Sequence, residues 1–216
     1  MLFLTLYEHE MNYLTFNQHF AHQAIVSTQA IRKVFPAFDN RRLVEWQRKG
    51  YLQRLTNGWY RFTDVPVSES LLWWTANRIY QPSYVSLETA LSYHGLIPEG
   101  VFSVTSVSTR KTRTITTPVG TFCYRTVKPA LYFGYTILRW QDRPVLMADR
   151  EKALLDLCYF GSHLQHADDL VGLRLNTTLL SEQLNYGQMA DYQQLFNSNK
   201  LNRRVKTLLT YIENHA

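Results

Sequence analysis

The sequence predicts an α+β chain in two parts, a small N-terminal unit of short helices with a hairpin and a larger mixed α/β unit. Three observations predict it. Short capped helical patterns over residues 27–50 run into Asn57-Gly58 between two aromatic-rich runs, the strongest short-range hairpin signal. Residues 101–147 hold several runs of alternating apolar and polar residues, the strand period. Helical patterns flank that β-rich stretch on both sides, so strands and helices are segregated. With 216 residues, 45% apolar and 19% charged, the chain can bury a sizeable core, and wholesale disorder is excluded.

The elements follow in order. Leu6 to His22 has a helical pattern, with Leu6, Tyr7, Met11 and Leu14 spaced to share one face. The apolar start, Met1 to Tyr7, lacks a basic n-region and a cleavage site, so it reads as the beginning of that helix and not as a signal peptide. Ser27 offers an N-cap for a helix from Thr28 to Phe35, stopped by Pro36. The next helix starts near Asp39 and runs to Lys49, with Gly50 suited to a left-handed cap. Its Leu43 and Trp46 face inward, which leaves Asn40, Arg41, Gln47 and Arg48 facing out. Asn57-Gly58 predicts a type I′ hairpin with Thr56 opposite Trp59, Leu55 opposite Tyr60 and Arg54 opposite Arg61. Two like charges opposed on one sheet face are destabilising, and an anionic visitor to that face would explain them.

Asp64 to Ser70 is a polar link containing Pro66, and it sets the domain bounds at 1–66 and 67–216. Beyond it, Leu71–Tyr80 and Ser86–Tyr93 read as helices. Val101–Val107, Thr114–Thr117, Gly120–Val127, Tyr132–Leu138 and Arg143–Met147 read as strands, with a basic turn at Arg110–Arg113. Asp149–Phe160 reads as an amphipathic helix with an acidic first turn, and the chain is helical and polar from Gly161 to its end. No apolar run approaches the roughly 20 residues of a membrane helix, so no membrane is expected. Cys123 and Cys158 cannot build a multi-bridge framework, and both are expected to be reduced in a cytoplasm.

The net charge of +6 is unevenly placed. Residues 32–61 carry eight basic residues against two acidic ones, and residues 103–143 carry seven against one. Such segments suit a polyanion or an acidic partner. Helix, helix, turn, helix and two-strand wing is the order of a winged helix-turn-helix, whose second helix enters the major groove of DNA. On this reading Asn40 pairs with adenine, Arg41 and Arg42 meet guanine or phosphate, and Gln47, Arg48 and Lys49 complete the helix surface. Arg54 and Arg61 lie along the backbone. Arg110, Lys111, Arg113, Arg125 and Lys128 extend the footprint or meet an acidic protein. The competing reading makes each basic run a solvated face, or in the second segment a charged guard on a strand edge.

Two further segments carry a family resemblance. Tyr84-Val-Ser-Leu-Glu-Thr-Ala-Leu-Ser-Tyr-His-Gly-Leu-Ile-Pro98 resembles the helix after the winged domain of AbiEi-type antitoxins, and Val145-Leu-Met-Ala-Asp-Arg-Glu-Lys-Ala-Leu-Leu-Asp-Leu157 resembles that family's EKALLD helix. Their order, with the winged pattern before and the basic β-rich stretch between, covers most of residues 30–160. The resemblance implies an antitoxin of a type IV toxin–antitoxin system. Such a protein represses its own operon through the N-terminal domain and opposes a nucleotidyltransferase-type toxin through the rest. The segment Asn176–Ala216 matches nothing in that pattern.

Catalytic readings are weaker. Cys158, His163 and His166 have part of a zinc spacing but lack a second ligand pair. Gly161-Ser162 with Asp168-Asp169 superficially resembles a nucleotidyltransferase signature, but adjacent aspartates on a strand point to opposite faces. His94 before Gly95 suits a charged group at a helix C-terminus. No Walker loop and no Gly-x-Ser-x-Gly is present. The expectation is therefore a non-enzyme with no cofactor and no metal, whose partners are double-stranded DNA of its own promoter and a cognate toxin. Two alternatives stay open. One is a winged-helix regulator whose second domain senses a ligand or dimerises. The other is a magnesium-dependent nucleic-acid enzyme using Asp149, Glu151 and Asp156.

Overall fold

A computed structural model describes residues 11–98 and 103–216. The chain is α+β and divides into two compact units, Met1–Leu71 with Thr116–Val119, and Leu72–Ile115 with Gly120–Ala216.

In the first unit, helix α1 spans Tyr13–Phe20 and starts where the Asn12 side chain accepts a hydrogen bond from the Thr15 amide at 2.9 Å. Leu6 and Tyr7 lie outside the described residues. Leu14 is 65% exposed and so leaves the expected apolar face, whereas Met11 packs against the core. Starting the helix at Tyr13 turns Phe16 and Phe20 inward instead, one turn apart. A strand that the sequence reading missed follows, β1 (Ile25–Ser27). At three residues it is too short to show a period. Helix α2 (Thr28–Val34) is capped by Ser27, whose hydroxyl accepts from the Ala30 amide at 3.0 Å. Helix α3 spans Arg41–Arg48, and strands β2 (Leu52–Thr56) and β3 (Trp59–Phe62) complete an antiparallel sheet of order β1-β3-β2. Phe16 sits at the centre of the core, its ring 4.6 Å from Trp46 and 5.6 Å from Phe62.

The hairpin corrects two expectations. Gly58 has φ +73° while Asn57 does not enter the positive-φ region, so the loop is not type I′. The Gly58 carbonyl accepts from the Thr28 amide at 2.9 Å, and a Cβ on Gly58 would sit 3.1 Å from the Thr28 hydroxyl. The turn is thus docked on the start of α2 and shaped by it. A bulge between Arg54 and Thr56 then shifts the register. Thr56 faces Trp59 as expected, but Arg54 faces Tyr60 and Gln53 faces Arg61. The bulge brings buried Leu52 opposite buried Phe62, and it removes the Arg54–Arg61 opposition. No opposed arginine pair is left on that face to call for an anionic visitor.

The second unit begins in α4 (Glu69–Ile79) and holds β4 (Ser83–Val85), α5 (Leu87–Tyr93), β5 (Ser103–Ser108), most of β6 (Arg113–Thr117), β7 (Gly120–Thr126), β8 (Tyr135–Trp140) and β9 (Arg143–Ala148). These strands make a six-stranded mixed sheet of order β6-β7-β5-β4-β9-β8. The sequence reading missed β4, a three-residue central strand that pairs antiparallel with β5 and parallel with β9. The strand expected from Tyr132 begins only at Tyr135 as β8, after a 3-10 turn at Pro129–Leu131. The β8–β9 loop is Gln141-Asp142, with φ of +46° and +63°, the signature of a type I′ turn.

Helix α6 (Arg150–Phe160) packs against α5 and β9 on the sheet side. Helices α7 (Ala167–Val171), α8 (Thr177–Gln183), α9 (Tyr186–Phe196) and α10 (Asn199–His215) follow. The closing segment is not a polar appendage. Leu201, Val205, Leu208 and Ile212 form one buried stripe of α10, which packs on α6 and α8. No helix among the described residues is long and apolar enough to cross a membrane.

Candidate nucleic-acid interface

Helix α3 places most of the expected site. Leu43 and Trp46 are buried, and the opposite face carries exposed Arg41, Val44, Glu45 and Arg48. Helix geometry requires this, because residues three and four apart share a face. Asp39, one residue before the N-cap Asn40, holds the first turn of α3. Its carboxylate accepts from the Arg41 amide at 2.9 Å and from Arg41 Nε at 2.7 Å, which holds it below the usual carboxylate range. Asn40 is exposed, and its side chain makes no cap hydrogen bond. Gln47 is half-buried and donates its amide to the Leu43 carbonyl at 2.9 Å. Lys49 Nζ lies 2.6 Å from Glu45, and that bond lowers the Glu45 pKa and raises that of Lys49. Arg42 and Arg48 have no ion-pair partner among the described residues.

The two hairpin arginines differ. Arg54 is exposed and braces the turn, its guanidinium 3.3 Å from Asn57 Oδ1. Arg61 is half-buried and already donates to Gln53 Oε1 at 2.6 Å and to the Val65 carbonyl at 3.0 Å. Gly50 takes φ +75° at the end of α3, the left-handed cap that lets the chain turn directly into β2. Val44 is an outward residue of α3 that is not among the expected site residues. The signal lay in its spacing, three residues after Arg41 and four before Arg48.

In the second unit, Arg110, Lys111, Thr112 and Arg113 line a shallow cleft of about 600 Å³ with Tyr80 and Thr109. Arg110 lies 4.4 Å over the Tyr80 ring and donates to the Gln81 carbonyl at 3.3 Å, so the turn is pinned to the ring it covers. Arg125 and Lys128 are exposed.

The segments that carry the family resemblance meet inside this unit. Helix α6 is not amphipathic as expected, since every residue from Glu151 to Cys158 is buried. Lys152 and Asp156 form an ion pair with both side chains at 0% exposure. The second oxygen of Asp156 accepts from the Tyr84 hydroxyl at 2.9 Å and the Ser86 hydroxyl at 2.8 Å. The Lys152 ammonium lies 5.0–5.3 Å from the rings of Tyr84, Phe133 and Phe196. Burial pushes the Asp156 carboxyl up and the Lys152 ammonium down, and each offsets the other. Asp149 caps α6, accepting from the Lys152 amide at 2.7 Å and, on its other oxygen, from Tyr192 at 2.9 Å and Gln188 at 3.0 Å. Glu151 accepts from the Asn185 amide at 2.8 Å. These carboxylates, offered above as magnesium ligands, are occupied by the fold.

His94, Cys158 and Asp169 are likewise set by the fold. His94 is part-buried with Nε2 2.8 Å from the Ala148 carbonyl, and burial lowers its pKa. Burial thus works against the charge expected of it at a helix terminus. Cys158 is buried and its thiol is pushed up to about 12, so it is inert. Asp169 accepts from the amides of Gln165 and His166 at the start of α7. No protein-family model matches the chain, and no curated protein matches it.

Proposed function

We propose that the chain is a DNA-binding antitoxin of the bacterial cytoplasm that represses its own operon and opposes a nucleotidyltransferase-type toxin, without catalytic activity of its own. Residues 1–66 are read as a winged helix-turn-helix with α3 as the recognition helix and β2–β3 as the wing. The observation that carries this reading is the division of α3. One face anchors the aromatic core through Leu43 and Trp46, and the other turns Arg41 and Arg48 to solvent ahead of a tight hairpin bearing Arg54. A helix so anchored is a rigid cationic ridge of the width that a major groove admits. The strand β1 added to β3 ties that hairpin back to the start of α2, which supports a fixed wing. The antitoxin part rests on the resemblance of residues 84–98 and 145–157. Their meeting at Asp156 and Ala148 supports reading residues 67–216 as one motif-bearing domain, with the Arg110–Arg113 turn as a contact for DNA or an acidic toxin.

The test is binding of the full-length chain to the DNA immediately upstream of its own gene, titrated at several salt concentrations. If about five phosphates are neutralised, log K falls with log salt at a slope of roughly −4 to −5. Arg41→Ala and Arg48→Ala weaken binding, and the first relaxes base preference. Co-expression with the neighbouring toxin gene tests the second half, because the chain then restores growth. Absence of binding at low salt overturns the repressor reading, and unrelieved toxicity overturns the antitoxin reading.

A further inference from the structure

We propose that Val44 is a further base-selecting residue at the centre of the α3 surface and that it takes the 5-methyl group of a thymine, an inference resting on the DNA-binding reading above. Val44 is 56% exposed on a helix whose other outward residues are Arg41, Glu45 and Arg48. Single exposed apolar residues are ordinary on a protein surface. Leu14, Val34, Tyr51 and Val67 are others in this unit, and none of them stands between two arginines at helical spacing. Val44 does, with Arg41 one turn before it and Arg48 one turn after.

The neighbouring polar groups are already engaged. Arg41 is held by Asp39 at 2.7 Å, Lys49 holds Glu45 at 2.6 Å, and the Gln47 amide is bonded to the Leu43 carbonyl at 2.9 Å. The middle of the ridge therefore presents the two methyl groups of Val44 beside polar side chains that are already engaged. Nothing in the fold accounts for valine there. A β-branched residue is a poorer helix former than alanine or lysine, and an exposed one gains nothing from the core. In the major groove the one apolar feature on a base edge is the thymine methyl, and apolar side chains read it by contact. Arg48, one turn after it, reaches a flanking phosphate and holds the ridge at that depth, while Arg41, one turn before, reads the neighbouring base.

The experiment uses the full-length chain and the duplex upstream of its gene, with each thymine in turn replaced by uracil, which removes only the methyl. One or two replacements are expected to weaken wild-type binding about fourfold, the value of one buried methyl. Val44→Ala is expected to lose about the same on the parent duplex and to be indifferent to those replacements. Alanine favours the helix, so a loss in this variant does not come from unfolding α3. If no uracil replacement affects the wild type, or if Val44→Ala retains the full penalty, Val44 does not read thymine. Continued weakening by Arg48→Ala in that case leaves the DNA-binding reading intact. Failure of the wild type to bind the duplex at low salt overturns both.

Discussion

Glu45–Lys49 on α3 and Lys152–Asp156 on α6 are both ion pairs four residues apart, with side-chain exposures of 49% and 53% in the first and 0% in the second. The α3 pair has its acid nearer the helix N-terminus, the order that helix and dipole favour, and it lies in water where such a pair adds little. The α6 pair runs in the opposite order, which its own helix disfavours. Its stability comes from other elements: two hydroxyls from Tyr84 and Ser86 complete the carboxylate, and three aromatic rings surround the ammonium. The same spacing therefore makes a solvated, replaceable surface in one unit and a structural lock in the other. Charge pattern alone does not say whether a charged helix is an interface or a core.

The largest expected effect breaks the lock. Asp156→Ala leaves a buried ammonium and two hydroxyls without their acceptor, and it should cost about 3–5 kcal/mol in guanidinium unfolding. Lys152→Met with Asp156→Leu should recover much of that loss, because an apolar pair removes both buried charges. A loss below about 1 kcal/mol in the single variant would mean that water reaches the pair, and the contrast with α3 would disappear.

Gly134 sharpens the same point. It has φ +71°, and a Cβ there would lie 2.9 Å from Lys152 Cβ and Cγ. Gly134→Ala should cost about 1–3 kcal/mol from overpacking, with left-handed strain added. If its denaturation midpoint equals that of the wild type, the backbone does not close over Lys152.

A smaller effect depends on pH. Burial holds the folded His94 pKa below its unfolded value of about 6.5, so between those two values the unfolded chain binds more protons. The His94 contribution to stability is thus present above about pH 6.5 and is lost as pH falls toward the folded pKa. Denaturation midpoints at pH 7.5 and 5.5 should differ more for the wild type than for His94→Asn. Equal differences would place a charged His94 in the fold.

The smallest effect belongs to α3. Glu45→Ala and Lys49→Ala should leave the unfolding midpoint unchanged within measurement, while Lys49→Ala weakens binding to all DNA sequences alike. A marked stability loss in either variant would show that the α3 pair also holds structure.

The sequence by itself determined what depends on near neighbours along the chain. The cap of α2 by Ser27, the inward turn of Leu43 and Trp46, the left-handed Gly50, the two-residue turn at Asn57-Gly58 and most strands of the larger sheet were legible because each is decided within a few residues. The clustering of arginines around α3 was legible for the same reason. The tertiary structure decided what depends on distant groups. The Asn57-Gly58 turn is docked on Thr28, and the bulge just before it answers to the core position of Leu52, so Arg54 and Arg61 part company. The Gln141-Asp142 turn takes both left-handed angles with no glycine, imposed by the strands it joins. Strands β1 and β4 are too short to carry a period, and they exist because neighbouring strands supply their hydrogen bonds. Most of all, Asp149, Glu151, Lys152 and Asp156 look like surface charges along the chain. Burial is set by what packs around a helix, and the partners that make it tolerable, Tyr84, Ser86, Asn185, Gln188 and Tyr192, lie 34 to 72 residues away.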